Sequence, residues 1–403
     1  MKSLLLTNEY PPNIYGGAGV HVDYLSRELK KMIQVDVRCF GEQDVSEAVL
    51  KAKGYRFAEA AFARTPKKLA GPLQALDRCV QFNADPVDAD VVHCHTWYSH
   101  FGGMLAKMSY GIPLVITTHS LEPLRPWKRE QLGRGYDLSC WIEKTAMEMA
   151  DAIIAVSEGM KQDVLANFNI PADRIKVIYN GIDTDEYQPT ASTSCFERYG
   201  VDPNKPYVLF VGRITRQKGI IHLVRAIQYI NPEAQIVLCA GAPDTPEIAR
   251  EMAEGVNAVK ATRKNVIWIE EMVDKKSVIE LYSHAAVFCC PSIYEPFGII
   301  NLEAMACSVP VVASAVGGIR EVVVHGETGY LVPLAQMKVS PFEALNSDHF
   351  ARDLADPINR LLANEELRKK LGAAGRQRAV QRFSWKAIAY QTVDLYKNLT
   401  ARK

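Results

Sequence analysis

Two glutamates eight residues apart, Glu295 and Glu303, lie in the segment Tyr294-Glu-Pro-Phe-Gly-Ile-Ile-Asn-Leu-Glu-Ala-Met-Ala306. A carboxylate can accept hydrogen bonds from vicinal sugar hydroxyls, and free amides at a helix N-terminus attract anionic oxygen. If a helix starts near Phe297, both carboxylates address one side of its N-terminal region, with the amides of Gly298, Ile299 and Ile300 between them. That combination suits a sugar diphosphate. A capped helix with one solvated glutamate would read the same way.

Upstream, Gly212-Arg-Ile-Thr-Arg-Gln-Lys-Gly219 places Arg213 and Lys218 in one short loop. Arginine offers a bidentate fork and lysine a compact point charge, and together they could neutralise a departing diphosphate. Two cations in eight residues equally suit a solvated basic loop. Near the start, Gly16, Gly17 and Gly19 open an amphipathic helix running through Leu25 and Leu29. Their amides fit a phosphate or a packing turn, but the spacing is not the G-x-G-x-x-G of a dinucleotide fold. His119 follows an apolar strand, where a lone histidine is more often structural than catalytic. His93 and His95 flank Cys94 on a strand; with no further ligand cluster beside them in the sequence, no metal is expected. Trp97, Tyr98, Trp127 and Tyr136 could form a sugar platform, although aromatic core residues are commoner. Neither a Gly-x-Ser-x-Gly elbow nor a Gly-x-x-x-x-Gly-Lys-Ser/Thr loop occurs, so hydrolase and triphosphatase readings lose their best support.

These residues must be held by a scaffold, and the hydrophobic pattern says which kind. Short apolar runs alternate with amphipathic stretches: Leu4–Thr7, Val35–Phe40, Asp90–Cys94, Leu114–Thr118, Ala152–Val156 and Lys176–Tyr179, then Val208–Val211, Gln235–Cys239, Val266–Ile269, Val287–Cys290, Val309–Ala313 and Tyr330–Val332. Such runs predict buried parallel strands with crossover helices, an α/β class. The polar stretch 188–194 reads as a connection between two similar halves. The expected domains are 1–190, 191–380 and a closing helix over 381–403 that packs back toward the first domain, with the tail broken near Gly372–Gly375 and again near Phe383–Trp385. In open α/β sheets ligands bind beyond the carboxyl ends of strands, so chemistry is sought at those loops and the helix starts that follow them. Two such domains facing a cleft would close on their substrates.

At 403 residues the chain exceeds what one core usually serves. Its 47 basic and 46 acidic side chains leave no net field for nucleic acid or an anionic membrane. Nine cysteines without a Cys-x-x-Cys pair read as free thiols in a reducing compartment. The apolar run after Met1-Lys2-Ser3 is too short for a signal peptide, and no apolar run approaches a membrane span, so a cytoplasmic protein is expected.

Taken in order, Gly212-Arg213 with Lys218-Gly219, Glu295-Pro-Phe-Gly with Glu303-Ala-Met, and Gly317-Gly318-Ile-Arg-Glu321 with Gly326 and Gly329 resemble glycosyltransferase family 4, the retaining GT-B group that includes bacterial glycogen synthases. The segments Tyr10–His21, His93–Tyr98 and Thr118–Trp127 are similar to the short synthases of the actinobacterial type. The resemblance implies two Rossmann-like domains and transfer of glucose from ADP-glucose, with retention and without metal or cofactor. The acceptor is an α-1,4-glucan, or glucose 1-phosphate to give maltose 1-phosphate. It implies that His119, Arg213, Lys218 and Glu295 are catalytic. Gly16, Gly17, Phe297, Gly298, Ile299, Ile300 and Glu303 would bind the donor, with Glu303 on the ribose. The base would lie at Ile269–Met272. Tyr15, His21, Thr96 and Trp97 would serve the acceptor. The chain departs from the longer synthases at Ile14, where they carry a lysine, and at Thr96, where they carry an aspartate. A UDP- or GDP-sugar transferase, a sugar-nucleotide 2-epimerase and a non-catalytic sugar-nucleotide sensor are the rival readings.

Overall fold

The computed structural model describes residues 1–14, 16–338 and 342–401. Its contacts divide the chain into two compact units, Met1–Gly181 with Trp385–Lys403, and Ile182–Ser384, rather than at 190 and 380.

The first unit holds an eight-stranded sheet. Its strands are β1 (Lys2–Leu6), β2 (Gln34–Phe40), β3 (Asp44–Ser46), β4 (Leu50–Tyr55), β5 (Val91–His95), β6 (Leu114–Thr118), β7 (Ala152–Ala155) and β8 (Ile175–Val177), in the order β3-β4-β2-β1-β5-β6-β7-β8. All neighbours are parallel except β3 with β4. The helices between them are α1 (Gly17–Leu29), α2 (Glu59–Phe62), α3 (Lys67–Ala84), α4 (Trp97–Tyr110), α5 (Lys128–Leu132), α6 (Gly135–Met149) and α7 (Glu158–Asn167). Strand β4 escaped the sequence reading because Lys51 and Lys53 alternate with buried Leu50 and Ala52, a one-sided pattern beside uniformly apolar strands.

The second unit carries a six-stranded, wholly parallel sheet of β9 (Tyr207–Arg213), β10 (Gln235–Gly241), β11 (Val266–Ile269), β12 (Val287–Cys290), β13 (Val311–Ser314) and β14 (Gly329–Val332), ordered β11-β10-β9-β12-β13-β14. Its helices are α8 (Phe196–Tyr199), α9 (Ile220–Ala226), α10 (Pro246–Thr262), α11 (Lys275–His284), α12 (Ile299–Ala306), α13 (Ile319–Val322), α14 (Ser347–Leu362) and α15 (Glu365–Arg382). One core gathers Val208, Phe210, Leu223, Leu238, Val287, Leu354 and Ile358. The polar stretch before α8 is no free linker. Ser192 and Ser194 each donate to Glu280 Oε1 at 2.7 Å, and the Cys195 amide donates to Glu280 Oε2 at 2.9 Å.

Helix α15 runs unbroken through Gly372 and Gly375, contrary to expectation. A Cβ on Gly372 would collide with the Ser308 carbonyl, and Gly375 lies against Met305, so these glycines let α15 approach α12 instead of ending it. The break comes at Phe383, and α16 (Trp385–Thr400) belongs to the first unit. There α16 packs on α1, and Trp385, Ile388 and Tyr396 share one core with Val22, Leu25 and Leu29. No helix among the described residues is long and apolar enough to cross a membrane.

Candidate functional site

The carboxyl end of β12 opens into Pro291–Glu295, and β9 into the loop ending at Gly219. They meet because Gly219, with φ of 59°, lies against the Pro291 carbonyl, where a side chain would collide. The Ile293 amide also donates to Gln217 O at 3.0 Å. This junction sets Lys218 Nζ 2.7 Å from Glu295 Oε2, with the two side chains 21% and 8% exposed. Ser292 Oγ reaches the same carboxylate oxygen at 3.3 Å. Burial pulls the Lys218 pKa down, but Glu295, and more weakly Glu303, outweigh it and leave the ammonium above its ordinary value.

Behind Glu295 stands the loop after β13. Gly317 has φ of 46°, and a Cβ there would collide with the Glu295 carbonyl; Gly318 N donates to that carbonyl at 3.0 Å. The glycine pair thus positions the glutamate backbone.

Helix α12 begins at Ile299, two residues later than expected, because Gly298 turns the chain with φ of 102°. Glu295 lies on the proline-bounded loop before the helix, as its segment implied, and only part of the eight-residue spacing to Glu303 is helical. The carboxylates part company accordingly. Glu303 Oε2 accepts from Tyr282 Oη at 3.0 Å, and Tyr187 also hydrogen-bonds it. Burial raises the Glu303 pKa, against these hydroxyls and Lys218. Gly298 caps α12 without a side-chain hydrogen bond, which suits the first-turn amides of Ile299 and Ile300 to an anion. Phe297 is buried against Phe383 and packs instead of offering its ring.

Arg213, at the end of β9, is ion-paired with Asp244, so it is not simply a solvated cation. Of the residues expected at the base, Ile269 is buried and Met272 is 69% exposed. Beside them a cavity of about 320 Å³ is lined by Gly241, Ala242, Pro243, Trp268 and Glu270 at the carboxyl ends of β10 and β11.

In the first unit, four histidines converge. His95 Nδ1 lies 3.1 Å from His119 Nε2, and the His21 ring is 4.7 Å from that of His119. His21 Nδ1 meets Asn180 Oδ1 at 2.7 Å, and His93 bridges Tyr396 Oη and Thr117 Oγ1 at 2.6 and 2.7 Å. Burial drives all four below the usual imidazole range, His21 to about 4, and neighbouring histidines add to the shift of His93, His95 and His119. They are neutral at pH 7. The reason for excluding a metal, that His95 lacks companions, is corrected: one nitrogen each from His21, His95 and His119 lie within 4.8 Å of one another, a spacing one ion could bridge.

The glycine loop also differs from expectation. The Gly16 amide donates to Glu9 Oε2 at 2.8 Å, and Gly19 packs on the same side chain. A carboxylate, and not an open anion hole, occupies the start of α1 at Gly16, whereas Gly17 is the first residue of the helix. Thr96, with φ of 67°, is the capping residue just before α4 and donates to Asn8 Oδ1 at 2.8 Å. Non-glycine residues in this region are strained, and such strain concentrates at functional sites. Trp97, Trp127 and Tyr136 are buried, so none is an exposed platform. Tyr15 lies outside the described residues.

Sequence reasoning missed Asp244, Tyr187, Tyr282, Glu9, Asn180 and the grouping of His95 with His119. All except Glu9 come from elements distant in the chain from their partners; Glu9 stands next to the segment already singled out at Tyr10.

Residues 15–186 match the family described as Glycosyltransferase Family 4, and residues 193–340 match Glycosyl transferases group 1. An alpha-maltose-1-phosphate synthase of Mycolicibacterium smegmatis is 46% identical, with 100% of both chains covered. The enzyme of that name from Mycobacterium tuberculosis is 44% identical, again over 100% of both. Among solved structures, a sucrose-phosphate synthase from Thermosynechococcus elongatus superposes with a TM-score of 0.80 at 25% identity, covering 100% of each chain. Two parallel-sheet α/β units, a lysine–glutamate pair at the ends of β9 and β12, and this full-length similarity lead to one conclusion: the chain belongs to the family 4 glycosyltransferases of GT-B fold.

Proposed function

We propose that the chain transfers glucose from ADP-glucose to glucose 1-phosphate, forming maltose 1-phosphate and ADP, and that an α-1,4-glucan can serve as a second acceptor. The observation that carries this reading is the 46% identity over the whole chain to an alpha-maltose-1-phosphate synthase. Both that name and the name of the sucrose-phosphate synthase denote a product bearing phosphate.

In this proposal the bond between the anomeric carbon and the diphosphate oxygen breaks as an acceptor hydroxyl attacks from the same face, with retention. The hydroxyl proton leaves with the diphosphate. Lys218, Arg213 and the amides of Ile299 and Ile300 stabilise the growing negative charge; preorganised donors of this kind contribute about 3–4 kcal/mol each. Glu295 holds sugar hydroxyls, Glu303 the ribose, and neutral His119 hydrogen-bonds near the anomeric centre without adding charge. None of these steps needs a metal. The cavity beside Trp268 is large enough for a purine. Balanced charge and the lack of a long apolar helix among the described residues accord with a cytoplasmic enzyme acting on small molecules.

The test is incubation with ADP-glucose and either glucose 1-phosphate or glycogen, followed by mass analysis. A disaccharide phosphate with matching ADP release is expected. Turnover only with UDP- or GDP-sugars, or no transfer at all, would overturn the reading in favour of another family 4 transferase, an epimerase or a sensor.

A further inference from the structure

Strands β5 and β6 are neighbours, and their register sets His95 opposite Thr117. His119 stands two residues beyond Thr117, so the two histidines leave the same face at one end of the sheet. Helix α1 brings His21 to the same place, its ring 4.7 Å from that of His119 and 5.3 Å from that of His95.

The three rings are set up as ligands. Asn180 Oδ1, a carbonyl oxygen 2.7 Å from His21 Nδ1, accepts the N–H of that nitrogen, which leaves the lone pair on Nε2. That Nε2 is buried and has no hydrogen-bond partner among the described residues. A hydrogen bond at one ring nitrogen that fixes the tautomer and frees the other is the common support of a metal-bound imidazole. His95 Nδ1 and His119 Nε2 lie 3.1 Å apart, near the separation of about 3.4 Å between two tetrahedral ligands of one zinc ion. One nitrogen from each of the three residues falls within 4.8 Å of the others. Burial keeps the rings in their neutral, ligating form at pH 7. His119 is the partly exposed member of the group, which leaves a side from which an ion and a fourth, solvent ligand can enter. Three neutral nitrogens suit zinc or a neighbouring first-row ion, whereas magnesium and calcium take oxygen.

We propose that His21, His95 and His119 form a binding site for a divalent transition ion such as zinc, and that the bound ion inhibits transfer. A ligated His119 no longer offers its nitrogen near the anomeric centre. The ion also sets positive charge beside the carbon that loses electron density as the diphosphate departs. The inhibition, but not the binding, rests on the reading that places His119 at that carbon.

Zinc is titrated by calorimetry into the full chain after removal of metal by chelator and without substrate. Cobalt(II) serves as a second probe, because its visible spectrum separates four-coordinate from octahedral sites. One equivalent of zinc should bind, and cobalt should give the four-coordinate spectrum. His119→Gln, at the partly exposed position, should weaken zinc at least about 100-fold, and Asn180→Leu, which removes only the support of His21, about 10-fold. His21→Gln repeats the first test at a buried ligand, and thermal melts check that each variant folds. His349→Gln, at an exposed histidine beside Asp353, should bind zinc as the wild type does. Zinc that fills the site should suppress ADP release, with recovery in excess chelator, and Asn180→Leu should need about 10-fold more zinc for the same fractional inhibition. Equal zinc binding in wild type and His119→Gln, or an octahedral cobalt spectrum, would overturn the site. Full turnover with the site filled would overturn the inhibition. If the wild type transfers no sugar, the reading of its activity fails, and calorimetry and the cobalt spectrum alone judge the site.

Discussion

Lys218 Nζ lies 2.7 Å from Glu295 Oε2, although 77 residues separate them in the chain. The glutamate acts as a counter-ion that holds the ammonium extended within a largely desolvated pocket. A bound diphosphate offers that ammonium a second anion, and the pair is poised to share it. Lys218→Ala should lower kcat by more than about 100-fold, equivalent to about 2.7 kcal/mol of transition-state stabilisation. Lys218→Arg should lose less. ADP release at saturating donor measures both, and wild-type turnover in Lys218→Ala would remove the lysine from the chemistry.

Gly317 and Gly326 both have positive φ, 46° and 79°, but a side chain at Gly317 would collide with the Glu295 carbonyl while one at Gly326 meets open space. Alanine at either position should cost about 1–3 kcal/mol of stability through backbone strain. Only Gly317→Ala should also cut donor-dependent turnover, by at least tenfold. Urea denaturation and initial rates together separate the two effects; equal activity losses would argue against a positioning role for the glycine pair.

His100 is 2% exposed, neither of its ring nitrogens has a hydrogen-bond partner among the described residues, and burial lowers its pKa to about 3. The unfolded chain binds a proton near pH 6.5 that the folded chain refuses. Its contribution is thus complete above pH 6.5 and declines as pH falls toward 3, by about 1.4 kcal/mol per pH unit. His21, lowered to about 4, acts in the same sense. Unfolding free energy should fall between pH 7 and 5, and less steeply in His100→Leu. Equal slopes in the two proteins would mean that folded His100 accepts protons.

The three nitrogens of His21, His95 and His119 could bridge one ion, yet the proposed chemistry calls on none. Turnover should therefore survive exhaustive dialysis against a chelator. A rate that falls with the chelator and returns with one divalent ion would instead assign the histidines to a metal that the reaction needs.

Much of this was legible in the linear order. Uniformly apolar strands must be buried on both faces, and the order of Gly212-Arg213, Lys218, Glu295 and Glu303 pointed to a sugar-nucleotide enzyme. Local rules failed where a residue's role depends on distant backbone. Gly372 and Gly375 read as helix breakers, but α12 lies close against them. The eight-residue spacing of the glutamates suggested that both address one side of a helix N-terminus, but Gly298 delays the helix and the two carboxylates bond different partners. Trp97, Trp127 and Tyr136 offered rings to a sugar, and the fold buried them.

The sequence by itself determined the α/β class, the family and the residue types able to hold a sugar diphosphate, because hydrophobic period and motif order survive without coordinates. Tertiary structure alone decided the partners: Glu295 for Lys218, Asp244 for Arg213, Tyr282 for Glu303, Glu9 for Gly16 and His95 for His119. Hydrogen bonds and ion pairs act over about 3 Å of space, and parallel strands bring together loops that the chain itself keeps dozens of residues apart.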